Sequence, residues 1–397
     1  MQLTYLSEAA IPSRSSNATQ TMRMSAAFAE AGANVTLVHP VLQRAEPEGF
    51  TGDVEGFYGV RAAFERRVLR LPPPWGPESL QRVARAAPFL AYLTQRLRPG
   101  QPPVVCYARS FVAASMAVRV RRAWGHRSAC RAVVVEVHDE PPARAWSLLE
   151  AADGVVTISD ALRRRVLVRL AGLEDRVWVE HDGVDLGAIA PGMDRAGARA
   201  QLGLTHAGGP LVVYAGRVIA GKGVDVLVEA AGQLRDIGAH VVVVGKIYEP
   251  DYVSRAPDNV TFTGFVAPSQ VPAYLAAADV MVMPTTADLP YAAYTSPLKL
   301  FEYMATGNPV VASDLPVLRE VLSHGENALL YPSRDSASLA EAVRRVGLQP
   351  AFGRALADQA WRDVQRYGWR ARAARILERV GQLAPDRPPP TLRPRRR

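Results

Sequence analysis

The chain of 397 residues has few cysteines and no long uncharged apolar stretch. Its two cysteines, Cys106 and Cys130, are too few for a disulfide framework, which excludes a small disulfide scaffold and indicates a reducing, cytoplasmic setting. No run of 18 uncharged apolar residues is present, so we expect no membrane-spanning helix. The first eight residues have no basic segment and predict a strand rather than a signal peptide. Hydrophobic residues make up 48% of the chain, which is typical of a globular protein.

Motifs of several common enzyme classes are also missing. No Gly-x-Gly-x-x-Gly follows a predicted strand, which disfavours a dinucleotide-dependent dehydrogenase, and no Gly-x-Ser-x-Gly elbow occurs. The cysteines and histidines lack the spacing of metal ligands. Aromatic residues are not interleaved with the arginine clusters, which weakens the case for single-stranded nucleic-acid binding. We therefore expect neither a metal site nor a nucleic-acid partner.

Lysine is scarce as well, with three lysines beside 44 arginines and a net charge of +9. Two interpretations of the arginine-rich N-terminal half stay open. One is a solvated face, and the other is peripheral contact with an anionic membrane, because Arg82, Arg85, Arg96 and Arg98 accompany apolar side chains. Where arginine is the default cation, a retained lysine indicates a place that needs a compact charge.

Apolar runs alternate with helix-length segments from end to end. The predicted strands are 3–6, 35–38, 104–107, 133–137, 154–158, 211–214, 241–244, 260–263, 280–283 and 309–312. The predicted helices include 18–31, 81–97, 111–123, 224–234 and 298–305. Continuous Val, Ile and Leu strands between helices predict parallel sheets covered on both faces, hence a doubly wound α/β fold. A glycine-rich seam at 185–209 predicts two similar domains, 1–188 and 189–370, and a C-terminal segment, 371–397, that ends in a disordered Arg/Pro tail.

The loop after the strand at 211–214 is the first candidate site, because ligands of open parallel sheets bind beyond the carboxyl ends of the strands. It runs from Gly216-Arg217 to Gly221-Lys222-Gly223 and leads into a helix. The N-terminus of a helix favours an anion, so two cations there predict a negative ligand, such as adjacent phosphates clamped by Arg217 and Lys222. A plain surface turn with two solvated cations is the alternative.

The second candidate is the segment that starts the helix at 298–305. Ser296 is the expected N-cap and Pro297 the expected first helical residue. Lys299 lies in the first turn, where its sign opposes the helix dipole, and Glu302 follows one turn later. A negative ligand at the helix start explains Lys299, whereas the alternative is an ordinary Lys299–Glu302 pair worth about 0.2–0.5 kcal/mol.

Other polar residues follow strands in the same way. Lys246 comes after the strand at 241–244, either as an exposed loop lysine or as a ligand contact. In the first half, His138 follows a strand, with Asp139 expected to hold its ring. In the loop before the first helix, Ser16 or Asn17 is the expected cap, so that this helix start also faces an anion.

Together these residues resemble the retaining GT-B glycosyltransferases of family 4, the glycosyl transferases group 1. The resemblance rests on four segments in order: Gly216-Arg217-x4-Lys222-Gly223, Gly264-Phe265, Ala278-Asp279 to Pro284, and Glu302 to Ala312. Tyr294 stands where the family's Glu-x7-Glu motif has its first Glu, and Thr295-Ser296-Pro297-Leu298-Lys299 follows it, a Ser-Pro-x-Lys form found in part of the family.

The resemblance implies two Rossmann-like domains facing across a cleft, with a nucleotide-diphosphate sugar (UDP- or GDP-linked) as donor in the C-terminal one. The reaction implied is hexosyl transfer with retention to a hydroxyl of a glycan or lipid-linked acceptor, in cell-surface polysaccharide or glycolipid biosynthesis, with no cofactor and no metal. The catalytic residues implied are His138, Arg217 and Lys222. The donor-binding residues implied are Gly216, Arg217, Lys222, Lys246, Phe265, Thr295, Ser296, Lys299 and Glu302. The acceptor or phosphate loop is Ser15, Ser16 and Asn17.

Two other classes stay open. One is another enzyme of the same fold, a phosphorylase or a nucleotide-sugar epimerase, and the other is a non-catalytic protein that kept the nucleotide pocket. Release of nucleoside diphosphate on sugar transfer separates the first from a glycosyltransferase, and turnover by purified protein excludes the second.

Overall fold

The computed structural model describes residues 1–41, 50–61, 63–70, 78–187, 194–204, 208–267, 270–289 and 291–383, with backbone only at 78–83. The chain divides into two compact units. Unit 1 comprises Met1–Ile158, Leu162–His181 and the segment from Trp369, and unit 2 comprises Ser159–Ala161 and Asp182–Gly368. The predicted boundary at 188/189 and the predicted disordered tail lie outside the described residues, so both stay predictions.

Unit 1 contains a parallel sheet of seven strands. The strands are β1 (Gln2–Leu6), β2 (Asn34–Val41), β3 (Glu65–Arg70), β4 (Val104–Ala108), β5 (Cys130–Val137), β6 (Gly154–Thr157) and β7 (Val177–Val179). Their order in the sheet is β3-β2-β1-β4-β5-β6-β7, with all neighbours parallel. The strand order reverses between β1 and β4, which makes that point the switch point of a doubly wound sheet.

Unit 2 contains a parallel sheet of six strands with the corresponding order. The strands are β8 (Leu211–Ala215), β9 (His240–Val244), β10 (Val260–Gly264), β11 (Val280–Met283), β12 (Val310–Ser313) and β13 (Leu329–Tyr331). They are arranged β10-β9-β8-β11-β12-β13. The switch point of unit 2 therefore lies between the carboxyl ends of β8 and β11.

Helices connect the strands of both sheets. They are α1 (Ser16–Glu30), α2 (Val54–Tyr58), α3 (Glu78–Arg96), α4 (Phe111–Trp124), α5 (Trp146–Ala151), α6 (Asp160–Arg169), α7 (Arg195–Gln201), α8 (Val224–Gln233), α9 (Pro250–Ser254), α10 (Val271–Ala277), α11 (Leu298–Ala305), α12 (Ser336–Leu348), α13 (Pro350–Val364) and α14 (Trp369–Gly381). The last of these, α14, belongs to unit 1, where it packs against α1. The described helices include none that is long and apolar enough to cross a bilayer.

The sheet of unit 2 is buried on both faces, as the continuous apolar runs predict. Successive residues of a strand point to opposite faces, and here both sets are apolar. Val213 and Val242 join the core on one face, while Val212 and Val241 join the core on the other. Burial on both faces leaves the carboxyl edge of the sheet as the place for polar side chains.

The arginine-rich region of unit 1 is less amphipathic than contact with an anionic membrane requires. Phe89 and Leu93 on α3 are fully buried, so they belong to the core, and Leu90 is exposed. Arg121 forms an ion pair with the buried carboxylate of Asp153. The side chain of Arg82 lies outside the described part of α3. The burial of Phe89 and Leu93 disfavours membrane contact, which stays a prediction.

Candidate functional site

The loop after β8 is held in one conformation by close backbone contacts. Gly223, the N-cap residue of α8, has φ +72°, and a Cβ atom there would lie 1.7 Å from the Pro284 carbonyl oxygen, just beyond β11. Gly245 has φ +146°, and its Cβ would lie 1.9 Å from the Gly216 carbonyl oxygen. Glycine is therefore required where the loops after β8, β9 and β11 converge, because these backbones approach too closely for a side chain.

Two of the predicted site cations lie on this loop. Arg217 is exposed and Lys222 is half-buried, with its Nζ atom 5.4 Å from the centre of the Tyr291 ring. Burial and the neighbouring charge of Arg217 lower the pKa of Lys222. Neither cation forms an ion pair with a carboxylate of the described residues. An uncompensated positive charge at the N-terminus of an α-helix is suited to an anionic ligand.

The loop after β9 is tied to the same place. The backbone N–H of Val218 donates to the carbonyl oxygen of Lys246 (2.9 Å), so the loops after β8 and β9 run side by side. The Lys246 side chain is exposed, with its Nζ atom 5.0 Å from the centre of the Tyr248 ring. Phe265, directly after β10, is 49% exposed, which is unusual for a phenylalanine.

The start of α11 differs in detail from the expectation. The predicted cap was wrong by one residue, since the N-cap is Pro297 and no side chain caps the helix. The Ser296 hydroxyl instead accepts a hydrogen bond from the backbone N–H of Asp182 (3.2 Å) and is buried. The neighbouring Thr295 hydroxyl is also buried and has no hydrogen-bond partner in the described structure, which makes it an open donor beside the helix start.

Lys299 and Glu302 form an ion pair, which the sequence analysis gave as the alternative to a negative ligand at the helix start. The Lys299 Nζ atom lies 2.8 Å from Glu302 Oε2. Both side chains keep partial exposure, 40% and 29%, so the pair can exchange with a ligand. The helix is anchored at β8, because the Tyr303 hydroxyl bonds both the N–H and the carbonyl of Ala215.

In unit 1 the predicted loop lies at the switch point of the seven-stranded sheet. The N-cap of α1 is Ser15, whose hydroxyl accepts from the Ala18 N–H (3.2 Å), so the expectation of Ser16 or Asn17 as cap was wrong. Arg109, directly after β4, donates to the Asn17 carbonyl oxygen (3.1 Å). The sequence analysis did not single out Arg109, although its place after a strand is the signal that identified the other candidates.

His138 lies directly after β5 and is held by a residue that the sequence analysis missed. Its Nε2 atom lies 3.0 Å from Oε1 of Glu136, a buried carboxylate on β5 itself. Asp139, the residue expected to hold the ring, is exposed instead. The expectation was wrong because alternate strand residues share a face, which places residue 136, not 139, beside residue 138.

Solved structures to which this chain is similar define the class of fold. HepE from Anabaena, crystallised with UDP and glucose, has a TM-score of 0.70 and 21% identity, covering 96% of this chain and 100% of HepE. Sucrose-phosphate synthase from Thermosynechococcus elongatus has a TM-score of 0.72 and 22% identity, covering 96% and 98%. The chain thus has the GT-B fold, as the sequence predicted.

Sequence relatives define the family. Residues 209–347 match the glycosyl transferases group 1 model. The D-inositol 3-phosphate glycosyltransferase of Frankia alni is 30% identical over 303 residues, which cover 69% of this chain and 72% of that protein. The one from a Nocardioides species is also 30% identical, and the match covers 60% of this chain and 56% of that protein's length. The chain belongs to the glycosyl transferases group 1 family.

Proposed function

We propose that this protein is a retaining glycosyltransferase, which moves a sugar from a nucleoside diphosphate sugar to an acceptor hydroxyl. The observation that carries the proposal is the pair Arg217 and Lys222 at the N-terminus of α8, without a carboxylate partner in the described part of the chain. A diphosphate supplies the missing negative charge, with the arginine as a planar fork and the lysine as a point charge.

The same pair accounts for catalysis. Negative charge develops on the departing diphosphate as the glycosidic bond breaks, and preorganised cations and the dipole of α8 stabilise it more than they stabilise the bound donor. In the proposed reaction the acceptor hydroxyl attacks from the face that the leaving group occupies, without a protein nucleophile. His138 is the proposed proton acceptor or hydrogen-bond partner of the reacting groups.

Further donor contacts are proposed for the residues around this loop. Glu302 is suited to the ribose hydroxyls, because its side chain is partly exposed and, among the described residues, its carboxylate pairs only with Lys299. Thr295 and Lys299 are suited to the phosphates, and the exposed ring of Phe265 to the base. UDP is the first nucleotide to test, because the HepE structure of the same fold was crystallised with UDP.

The acceptor is proposed to bind at the loop of Ser15, Ser16 and Asn17. Arg109 beside this loop adds a positive charge at the N-terminus of α1, a helix of 15 residues. That combination suits a phosphate group. Curated relatives are named for transfer to D-inositol 3-phosphate, so a phosphorylated polyol is the acceptor class that we propose.

The direct test is turnover by purified protein. UDP- and GDP-sugars are incubated with D-inositol 3-phosphate, nucleoside diphosphate release is followed by chromatography, and the anomeric configuration of the product is read by NMR. We expect release of one nucleoside diphosphate and a product that keeps the configuration of the donor. Release of a sugar phosphate indicates a phosphorylase, and interconversion of the donor without release indicates an epimerase. An inverted product contradicts the retaining assignment.

A further inference from the structure

A buried hydrogen-bond network in unit 1 surrounds the carboxylate of Glu136. Oε2 accepts from the Tyr107 hydroxyl (2.7 Å), and Oε1 accepts from Arg372 Nη2 (2.7 Å) and from Gln20 Nε2 (3.3 Å). Nε2 of His138 lies 3.0 Å from the same Oε1 and 3.4 Å from Gln20 Nε2, so its shorter contact is with the carboxylate. The side chains of Glu136 and Arg372 are completely buried, so the network is closed to solvent except at His138.

The ionisation state of Glu136 determines which of Glu136 and His138 donates the hydrogen bond between them. Burial opposes ionisation of Glu136, but Arg372, His138 and Arg109 outweigh it and hold the pKa of Glu136 well below its ordinary value. An ionised carboxylate has no proton to donate, so it accepts every hydrogen bond that it makes. The proton of the His138–Glu136 hydrogen bond therefore belongs to His138 Nε2.

We infer that Glu136 is a positioning residue, which fixes His138 in the tautomer protonated at Nε2 and is itself held in place by Arg372 of α14. In the neutral ring the Nδ1 atom is then unprotonated and acts as the acceptor. This inference rests on the proposed function, in which His138 accepts a proton or a hydrogen bond. The accepting atom of His138 in that reaction is accordingly Nδ1 rather than Nε2.

Arg372 is bonded at every guanidinium nitrogen, which explains how a single helix holds the network. Its Nε donates to the His181 carbonyl (2.7 Å), and Nη2 donates to the Glu180 carbonyl (3.1 Å) as well as to Glu136. Nη1 lies 3.1 Å from the Met24 sulfur. A fully satisfied buried network is rigid, so Glu136 cannot turn away from His138 without breaking several bonds.

The test combines a spectrum with a kinetic measurement. Two-bond ¹H–¹⁵N correlations of His138, assigned with His138→Gln, are recorded at a pH well above the ordinary imidazole pKa of about 6.5. We expect wild type to carry the proton on Nε2. In Glu136→Gln the amide can donate to the ring, so the proton shifts at least partly to Nδ1, and kcat falls about tenfold or more with the donor KM unchanged.

Glu180→Gln is the matched control, because it loses the carboxylate that pairs with Arg375 on the same helix and does not touch His138. It keeps the wild-type spectrum and kcat. Wild type with the proton on Nδ1 overturns the inference, even if Glu136→Gln does not fold. A folded Glu136→Gln that keeps the wild-type tautomer and kcat overturns it too. If wild type transfers no sugar, the proposed function fails, while the wild-type spectrum still decides the tautomer.

Discussion

The two sheets follow the same strand order, yet charge is handled differently at their carboxyl edges. In unit 2, Arg217 and Lys222 lie beside the start of α8 and meet no carboxylate in the described structure. In unit 1, the buried charges of Glu136 and Arg372 neutralise each other, 2.7 Å apart. In the proposed function, the edge of unit 2 keeps its positive charge for a ligand, and the edge of unit 1 uses its charges to hold the imidazole of His138. If the proposal is right, the same topology supports an anion-binding site in one unit and a positioning network in the other.

The largest effect is expected from breaking the neutralised pair in unit 1. Arg372→Met leaves the Glu136 carboxylate buried without its cation, and we expect a loss of about 3–5 kcal/mol in the free energy of unfolding. Urea unfolding measures it. The double variant Glu136→Gln/Arg372→Met removes both charges and recovers at least half of the loss. The control Arg379→Met removes an exposed cation of the same helix and costs less than about 1 kcal/mol. An Arg372→Met protein as stable as wild type contradicts the account of unit 1.

Removing a cation from unit 2 acts on turnover instead. Arg217→Ala is expected to lower kcat by about 10²–10³-fold, the range for a lost donor that stabilises developing negative charge, while stability changes little because the side chain is exposed. Steady-state kinetics with the active donor measures the effect. Arg235→Ala serves as control, since that arginine forms an exposed pair with Asp258 and keeps wild-type kcat. If Arg217→Ala and Arg235→Ala have the same kcat, the proposed catalytic role of Arg217 is wrong.

Two glycines of α8 test the conformation that presents these cations. Gly223→Ala introduces a methyl group against the Pro284 carbonyl at a positive φ, and we expect a loss of roughly 2–4 kcal/mol. Gly232 lies on the same helix with nothing within 4 Å of its Cβ position. Gly232→Ala is therefore expected to stabilise by about 0.5–1 kcal/mol. Thermal unfolding of the two variants gives opposite signs, and a stable Gly223→Ala protein contradicts the close approach of the loops after β8 and β11.

The smallest effect concerns stability without ligand. Because the pKa of Lys222 is lowered by burial and by Arg217, the unfolded chain binds this proton more readily than the folded chain does. The contribution of Lys222 to the free energy of unfolding therefore rises with pH between its lowered pKa and about 10.4, the ordinary lysine value. Lys222→Met is expected to stabilise the ligand-free protein by about 0.5 kcal/mol at neutral pH, whereas Lys246→Met, at an exposed position, changes nothing. If Lys222→Met is less stable than wild type, the interpretation that the charge of Lys222 is uncompensated is wrong.

Much of this fold was predictable because its central strands are continuous apolar runs, and all ten predicted strands are present. Three strands of the described residues were not predicted, each for a physical reason. Edge strand β3 reads Glu-Arg-Arg-Val-Leu-Arg, since an edge strand can carry charge, and β7 and β13 have only three residues each.

The residues of the candidate site also divide into those that the sequence could predict and those that it could not. The loop of Arg217 and Lys222 could be proposed as a site from the sequence, because glycine and a lone lysine mark it locally before a helix. The role of Glu136 could not be predicted, because its partner Arg372 lies 236 residues further along the chain. Only the folded structure shows which buried charges meet. The caps at Ser15 and Pro297 each differ from expectation by one or two positions, since several adjacent residues are suitable caps.

Calorimetric titration of UDP into wild type, Lys222→Ala and Arg235→Ala tests the central claim most directly, namely that unit 2 keeps its cations for a nucleoside diphosphate. We expect UDP to bind wild type and Arg235→Ala equally, and Lys222→Ala at least about tenfold more weakly, a difference of about 1.4 kcal/mol. GDP and ADP are titrated in parallel, and the tightest of the three defines the donor nucleotide. Equal binding to all three proteins, or no binding of any nucleotide to wild type, contradicts the claim.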